Sequence, residues 1–587
     1  MNVLTRYPVV LSGAGLSGGA PASAPLGREL RDAYIGAVIE RARPRFPWTL
    51  DELRSTTLWR GLGLSEWRLE VLLNLVVSVL GARALEPLGV LLSGNPNHGH
   101  ELAARLLATP RAPRVHLTVN FDDYVERAYE QVAGEPAESL TLDDATRVSD
   151  LIADDWIARP TPAVVHLHGR VSRKPDGSGT AYPGLRVTLD RISQPAPQLM
   201  YRLLERAAPF GLLVTGYRGN DPDLWPALRS VLRTTATGAP RIWGMRTSTS
   251  FDSDTRQTIA DLGFELTVGN SESLLSDALG KRESRAEEPS TFDPNGVAAL
   301  LEASAAEALL VLAAVCDDLG GPGRELTRKL LLPSPPNAEP SRVKALWWQR
   351  LAFNEHELGR PDVAVRYYQR AWTFAERDRG LRASIALGFA DASRPLIAGS
   401  IPKDRFGHTA KFLLALGTAW LWSRGTGRSD EVSQQALRVT GHTVLRLVDG
   451  LAAKKRGRRL RVAMAQGATL ALRHSRAGPN GHARMFSEVL LAECAAHLAL
   501  AADDRDKRLL EAHAWLDHAG AQIVFIGHDL ALADLTCAKA LLAGVEGREQ
   551  EAQALFEQAD RLYSAQLHPS GAILVRLRRH ALDLSLS

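Results

Sequence analysis

The pattern of the chain changes once, and that change constrains the fold more than any other feature of the sequence. Up to about residue 280, short β-prone apolar runs alternate with amphipathic stretches; after residue 297 no comparable run occurs. The runs are PVVLSG (8–13), RVHLTVNF (114–121), AVVHLHG (163–169), FGLLVTGY (210–217) and RIWGM (241–245), each bounded by Gly, Pro, Asn or Asp. Helix-like stretches lie between them, such as EWRLEVLLNLVVSVLGA (66–82) and residues 199–209. Nearly continuous apolar strands separated by helices predict a parallel sheet covered on both faces, an α/β Rossmann-like fold. Residues 281–296, KRESRAEEPSTFDPNG, carry dense charge, two prolines and a glycine, and read as a linker. The expected division is an α/β domain over 1–280, a linker over 281–296 and an all-α domain over 297–587.

Composition limits the class of function. Hydrophobic residues at 45% and charged residues at 23% are globular values that exclude a mostly disordered chain. A net charge of +4 spread over 587 residues gives no argument for a nucleic-acid or membrane partner. The three cysteines, Cys316, Cys494 and Cys537, all fall in the second half without a CxxC pair, which excludes a disulfide scaffold and a four-cysteine zinc site. The opening residues have no charged leader with a long apolar region, and no run approaches ~20 uninterrupted apolar residues, so a cytoplasmic protein is expected.

The helical half shows repeat character. Trp348, Leu351 and Ala352 precede a turn at Gly359, and Ala364, Tyr368 and Ala371 follow it. In such a small/large pattern alanines let two helices approach while the aromatic fills the space between neighbouring pairs. A second copy centres on Gly547, with Ala540 before it and Ala552, Phe556 and Ala559 after; a fainter trace uses Ala512, Leu516 and Ala519. The pattern resembles a tetratricopeptide repeat, with Glu355 where that family usually has an aromatic. An irregular alanine-rich bundle is the other reading. Trp347, Trp348, Tyr367 and Tyr368 are read as repeat core, and the basic cluster KKRGRR (454–459) as a solvated face.

The residues that carry chemistry sit at the ends of the predicted strands. GAGLSGGAP (13–21) follows the first strand, and glycines at a strand-to-helix turn let backbone N–H groups approach a pyrophosphate, aided by the helix N-terminus. LTVNFDD places Thr118, Asn120 and Asp122 at a second strand end, AVVHLHGR places His168 before Gly169, and VTGYRGNDPDL places Gly216, Tyr217 and Asp221 at a third. Polar residues at the C-terminal ends of several parallel strands converge on the crevice where α/β sheets bind ligands. His166 is assigned a structural role. Asp122 and Asp123 fit a helix cap, and His98 and His100 fit capping or packing without a metal.

These motifs, GAG-x-S, T-x-N-x-D, HG and a GYS-like strand end, occur in the order seen in sirtuins, and residues 1–280 resemble in particular the sirtuin-like NADases of bacterial antiphage defence. The resemblance implies an α/β sirtuin-like sheet that takes NAD+ as substrate. It implies that Gly13, Ala14, Gly15 and Ser17 meet the phosphates and ribose, with Thr118, Asn120 and Asp122 lining the nicotinamide and ribose pocket. His168 is then the catalytic histidine, with Asn120 beside it, and Gly216, Tyr217 and Asp221 lie against the adenosine half. Arg218 stands where the family prefers a small residue. Val119 replaces the glutamine of the deacetylases, and Ala22, Ser23 and Ala24 replace their Asp-Phe-Arg.

No cysteine occurs before residue 316, so the structural zinc ribbon of the deacetylases cannot form, which argues against protein deacylation or ADP-ribosyl transfer and for hydrolysis of NAD+ to ADP-ribose and nicotinamide without a metal. The implied role is an abortive-infection effector, a homo-oligomer switched on when the helical domain binds a phage or host protein. A non-hydrolysing NAD+ or ADP-ribose sensor remains the alternative.

Overall fold

In the computed structural model, the described residues are 7–43, 45–46, 48–55, 69–174, 179–188, 198–219, 221, 223–235, 238–247, 253–280, 291–318, 321–332, 335, 337–399, 402–423, 429–452, 458–477, 481–500, 504–526, 529–565 and, near the C-terminus, 571, 574–576, 578–579 and 582. Linker residues 281–290 and residues 454–457 of the basic cluster lie outside this set. The chain forms two compact units, one comprising Met1–Ala37 with Glu66–Glu302, the other Val38–Ser65 with Ala303–Ser587.

The first unit is built on a seven-stranded parallel sheet. Its strands are β1 (Val9–Ser12), β2 (Val115–Thr118), β3 (Glu138–Thr141), β4 (Ala163–His166), β7 (Leu212–Thr215), β8 (Arg241–Met245) and β9 (Glu265–Val268), in the order β3-β4-β2-β1-β7-β8-β9. A two-stranded antiparallel ribbon, β5 (Ser172–Arg173) with β6 (Thr180–Ala181), stands apart. All pairings in the large sheet are parallel, with Ser12 opposite Thr118 on one side and Thr215 on the other. The period-two alternation of a strand sends successive side chains to opposite faces. Val9 and Leu11 accordingly join Leu117, Val165, Leu212 and Val214 in one core, while Val10 joins Val164 and Leu213 in another. Helices Gln198–Ala207 and Leu224–Thr234 cover the first face; His98–Ala108 and Tyr124–Ala133 cover the second. The apolar segment Leu69–Leu92, an α-helix to Leu80 continued as a 3-10 stretch, is long and apolar enough to cross a membrane by length and composition alone, and Ser78, Ala82 and Arg83 within it are exposed.

All five predicted strands are present. The strand-to-helix turn differs from expectation: after β1 the chain makes a short 3-10 turn at Ala14–Leu16, and the next helix begins only at Gly27. Pro21 and Pro25, which lack N–H donors, lie in the intervening stretch.

Among the described residues after 303, every regular element of the second unit is a helix. Consecutive helices pack as hairpins, among them Ser341–Glu357 with Pro361–Phe374 and Asp529–Val545 with Glu549–Ala565. Gly359 and Gly547 turn these two hairpins with φ of +73° and +84°. Trp348, Leu351, Ala352, Ala364, Tyr368 and Ala371 are all buried, and a Cβ on Gly388 of the next helix would meet the Tyr368 ring at 2.5 Å. The aromatic thus sits directly on a glycine of the following helix. Glu355 is also buried, and it is paired with arginines: Arg328 Nε donates to it at 2.8 Å, with Arg360 at 3.4 Å.

Candidate active site at the strand ends

Because the sheet is parallel, the C-terminal ends of β1, β2, β4 and β7 share one edge. The order reverses about β1, whose neighbours are β2 on one side and β7 on the other, which makes this edge the topological switch point. The loops that leave it are bonded to one another. Gly13 N donates to Thr215 O (3.0 Å) and Gly15 N to Gly216 O (2.9 Å). A Cβ on Gly13 would lie 2.6 Å from Gly216 O, and one on Gly216, where φ is +65°, would lie 2.5 Å from Leu16 N. These glycines are required by loop-on-loop contact, whatever the ligand. Leu16 N and Ser17 N also donate within the loop, to Gly13 O and Ala14 O. Three of the N–H groups expected to face a pyrophosphate, those of Gly13, Gly15 and Ser17, are therefore engaged by the protein; Ala14 and Gly15 are the exposed residues of the turn.

Behind the turn is a buried polar network with its protons determined. Asn97 caps helix His98–Ala108, its own N–H donating to His100 Nδ1 at 3.1 Å. His100 is therefore protonated on Nε2, which donates to Ser17 Oγ (2.9 Å), and burial pushes its pKa down to about 3, so the ring is neutral. Ser17 Oγ also accepts from Asn120 Nδ2 (3.0 Å) and donates to Asp122 Oδ2 (2.8 Å). One donation and two acceptances exhaust a hydroxyl. Ser17, expected to meet the ribose or phosphate, instead ties the loop to Asn120 and Asp122. His98, by contrast, pairs locally with Glu101 (3.0 Å).

Thr118 is likewise used internally. Its Oγ1 accepts from Ser12 Oγ (3.0 Å) and from Asn120 N (3.0 Å), so it supports the loop from inside the sheet. Asp122 accepts the Tyr124 N–H (3.3 Å) at the start of its helix, while Asp123 makes no side-chain cap. Burial raises the Asp122 carboxyl to about 6, opposed by the Ser17 and Tyr124 bonds. A carboxyl whose folded pKa exceeds its unfolded value of ~3.9 favours the fold fully below pH ~4, and that contribution is lost as pH rises through 6. Asp122→Asn is therefore expected to stabilise the protein at pH 7.5, by up to about 3 kcal/mol, and to give no gain at pH 4. Urea unfolding at the two pH values measures the difference.

His168 follows the end of β4 and is 3% exposed. Its Nε2 lies 3.1 Å from Asp223 Oδ1, and Asp223, 2% exposed, also accepts the Leu224 N–H (2.8 Å) and has Arg186 at 3.2 Å. Burial acts to lower the imidazole pKa, but the Asp223 carboxylate outweighs it and the net shift is upward. Asp221 is half-buried and adds its charge to both His168 and Tyr217. Tyr217 was expected against an adenosine; its ring is instead committed to the core, 5.9 Å from Trp243 in a stacked arrangement. Gly216 serves the loop contact described above.

The turn carrying His168 and the strand end carrying Asn120 run side by side: Leu167 N donates to Thr118 O (2.8 Å), Val171 N to Phe121 O (2.7 Å), and His166 Nδ1 lies 2.9 Å from Asn120 O. Asn120 is 6% exposed, and its Oδ1 is a buried acceptor without a partner among the described residues. Such an acceptor is costly unless something supplies a donor. His100, Arg186 and Asp223 were not singled out as site residues by the sequence; the second acidic residue of NDPD was the available signal for Asp223. Among the described residues no group of three or more His, Cys, Asp or Glu side chains is arranged to hold a metal ion.

No curated protein matches the chain. Residues 114–266, less than half of the chain but spanning β2 to the second residue of β9 and including Asn120, Asp122, His168 and Asp223, match the SIR2-like domain family, which supports a sirtuin-like fold and an NAD-related function for this unit.

Proposed function

We propose that this chain is an NAD+ hydrolase that releases nicotinamide and ADP-ribose. The observation that carries the reading is the buried His168–Asp223 pair beside Asn120, whose side-chain oxygen lacks a donor, within the SIR2-like match. A carboxamide N–H of nicotinamide or a ribose hydroxyl is the kind of donor that acceptor needs. In the reaction a water oxygen bonds to the ribose carbon as the nicotinamide–ribose bond breaks. The bonding pair neutralises the pyridinium, and the water proton passes to a base. With Nε2 turned to Asp223, the lone pair of neutral His168 sits on Nδ1, and the Asp223 carboxylate stabilises the imidazolium that forms. Asn120 and the loops orient the substrate, which is most of the work when the leaving group departs as a neutral molecule.

A base must first lose its own proton, so the raised His168 pKa sets the acid limb of activity. Removing the charge that raises it, with Asp223→Asn, is expected to move that limb to lower pH. The pH profile of kcat/KM checks this; an unmoved limb would show that His168 is not the titrating group.

The wider role we propose is antiphage defence in the cytoplasm, with a homo-oligomeric effector held inactive until its tetratricopeptide-like helical unit engages a phage or host protein. Support comes from the hairpin geometry around Gly359 and Gly547 and from Leu413, Leu414, Leu421, Leu460 and Leu470, which are 61%, 72%, 61%, 53% and 61% exposed. Exposed apolar side chains on a helical array are suited to protein docking. NAD+ binding without turnover under every condition would favour the sensor reading instead.

A further inference from the structure

Besides His168, three buried histidines, His100, His116 and His166, lie near the strand ends, and His166 differs from the other two. His100 and His116 are held neutral, the latter with burial lowering it to about 4. His166, the last residue of β4 and fully buried, has both ring nitrogens engaged: Nδ1 at 2.9 Å from Asn120 O and Nε2 at 2.7 Å from Glu126 Oε1. The partners are a carbonyl and a carboxylate, both acceptors, so the ring donates at both nitrogens only as the imidazolium. Ser139 Oγ donates to the same Glu126 oxygen (2.5 Å), and Glu126 Oε2 has no partner among the described residues.

A buried ion pair of this kind contributes little net stability, since apolar residues of similar volume serve a core as well or better. What this pair does that apolar residues cannot do is donate to the Asn120 carbonyl. With that bond every polar group of Asn120 except one is fixed: N donates to Thr118, O accepts from His166, Nδ2 donates to Ser17, and only Oδ1 is left open. We infer that His166 and Glu126 are positioning residues, a buried imidazolium–carboxylate pair that locks the Asn120 peptide so that its side-chain oxygen is presented in one orientation. Preorganised polar groups of this sort reorganise little on binding or reaction. The charged and titratable groups around the ring are Glu126 from its helix, Arg170 just after β4, His116 on β2 and Asp122 beyond Asn120; Glu126 opposes burial and holds the proton on.

The activity arm of the test rests on the NAD+ hydrolase reading; the spectroscopic arm does not. His166→Leu with Glu126→Leu removes both charges and the donor. His166→Asn with Glu126→Gln removes the charges and keeps an amide donor for Asn120 O. The first double variant, which leaves the Asn120 carbonyl without its donor, is expected to lower the thermal midpoint modestly and to lose kcat/KM on the order of 10- to 100-fold, and the second to recover most of that loss. Equal activity in both, or losses that track stability alone, would overturn the inference. Independently of turnover, ¹⁵N spectra of the wild-type imidazoles at pH 8 are expected to show one ring, absent from the His166→Asn/Glu126→Gln protein, protonated at both nitrogens. If that ring carries a single proton, the inference fails even if the enzyme turns over. If the ring carries two protons but NAD+ is not hydrolysed, the functional reading alone fails.

Discussion

His168→Gln is expected to lower nicotinamide release by about 10²–10⁴-fold, the contribution of a positioned general base, with little change in stability. Glutamine can donate to Asp223 through its amide but cannot take a proton from water. Asp223 would still accept the Leu224 N–H and keep Arg186 at ion-pair distance, so the buried carboxylate is not stranded. The same substitution at His166 tests a different function, because that ring binds a carbonyl and a carboxylate and offers no lone pair. A rate assay with excess NAD+ and a thermal melt on the same preparation separate lost chemistry from lost fold; a wild-type rate in the variant would remove His168 from the mechanism.

Gly216→Ala is expected to destabilise the α/β unit strongly. The backbone there has a φ of +65°, which costs an L-residue roughly 1–2 kcal/mol, and the new Cβ would lie 2.5 Å from Leu16 N and 2.8 Å from Gly13 O. Those atoms are backbone and cannot step aside like a side-chain tip. The loops after β1 and β7 would have to separate, at the expense of the Gly13–Thr215 and Gly15–Gly216 hydrogen bonds, for a total of about 3 kcal/mol or more. Gly134→Ala is the control: its φ is +75°, but nothing lies within 4 Å of the added methyl. Urea unfolding should show Gly216→Ala costing at least about twice as much as the control. Equal losses would mean that the loops are not interlocked.

Four of the five strands legible in the sequence are fully buried; the fifth, β8, is partly buried and is read from Ile242, Trp243 and Met245. β1, β2, β4 and β7 are buried at every position, and their apolar runs, interrupted only by His116 in β2, make them stand out. β3 and β9, the sheet edges, were missed because ESLT and ELTV are only partly buried and offer one and two apolar residues respectively. The ribbon β5–β6 has two residues per strand and no pattern to read.

The site shows the same division. Asn120, Asp122 and His168 stand out as polar residues at strand ends, which is a local property. Their partners do not: His100 meets Ser17 across 83 positions, Glu126 meets His166 across 40 and Asp223 meets His168 across 55. Only the folded sheet brings them together. Motif order does not reveal the partners the protein itself supplies: the Ser17 and Thr118 hydroxyls are bonded within the strand-end network and the Tyr217 ring packs on Trp243.

The most direct measurement is the release of nicotinamide and ADP-ribose from NAD+ by the full chain, alone and in lysate from phage-infected cells, for the wild type, Asn120→Ala and His168→Gln. The expected result is release by the wild type, in one or both conditions, that both substitutions abolish. No release in either condition, or release that the substitutions leave unchanged, would contradict NAD+ hydrolysis at this site.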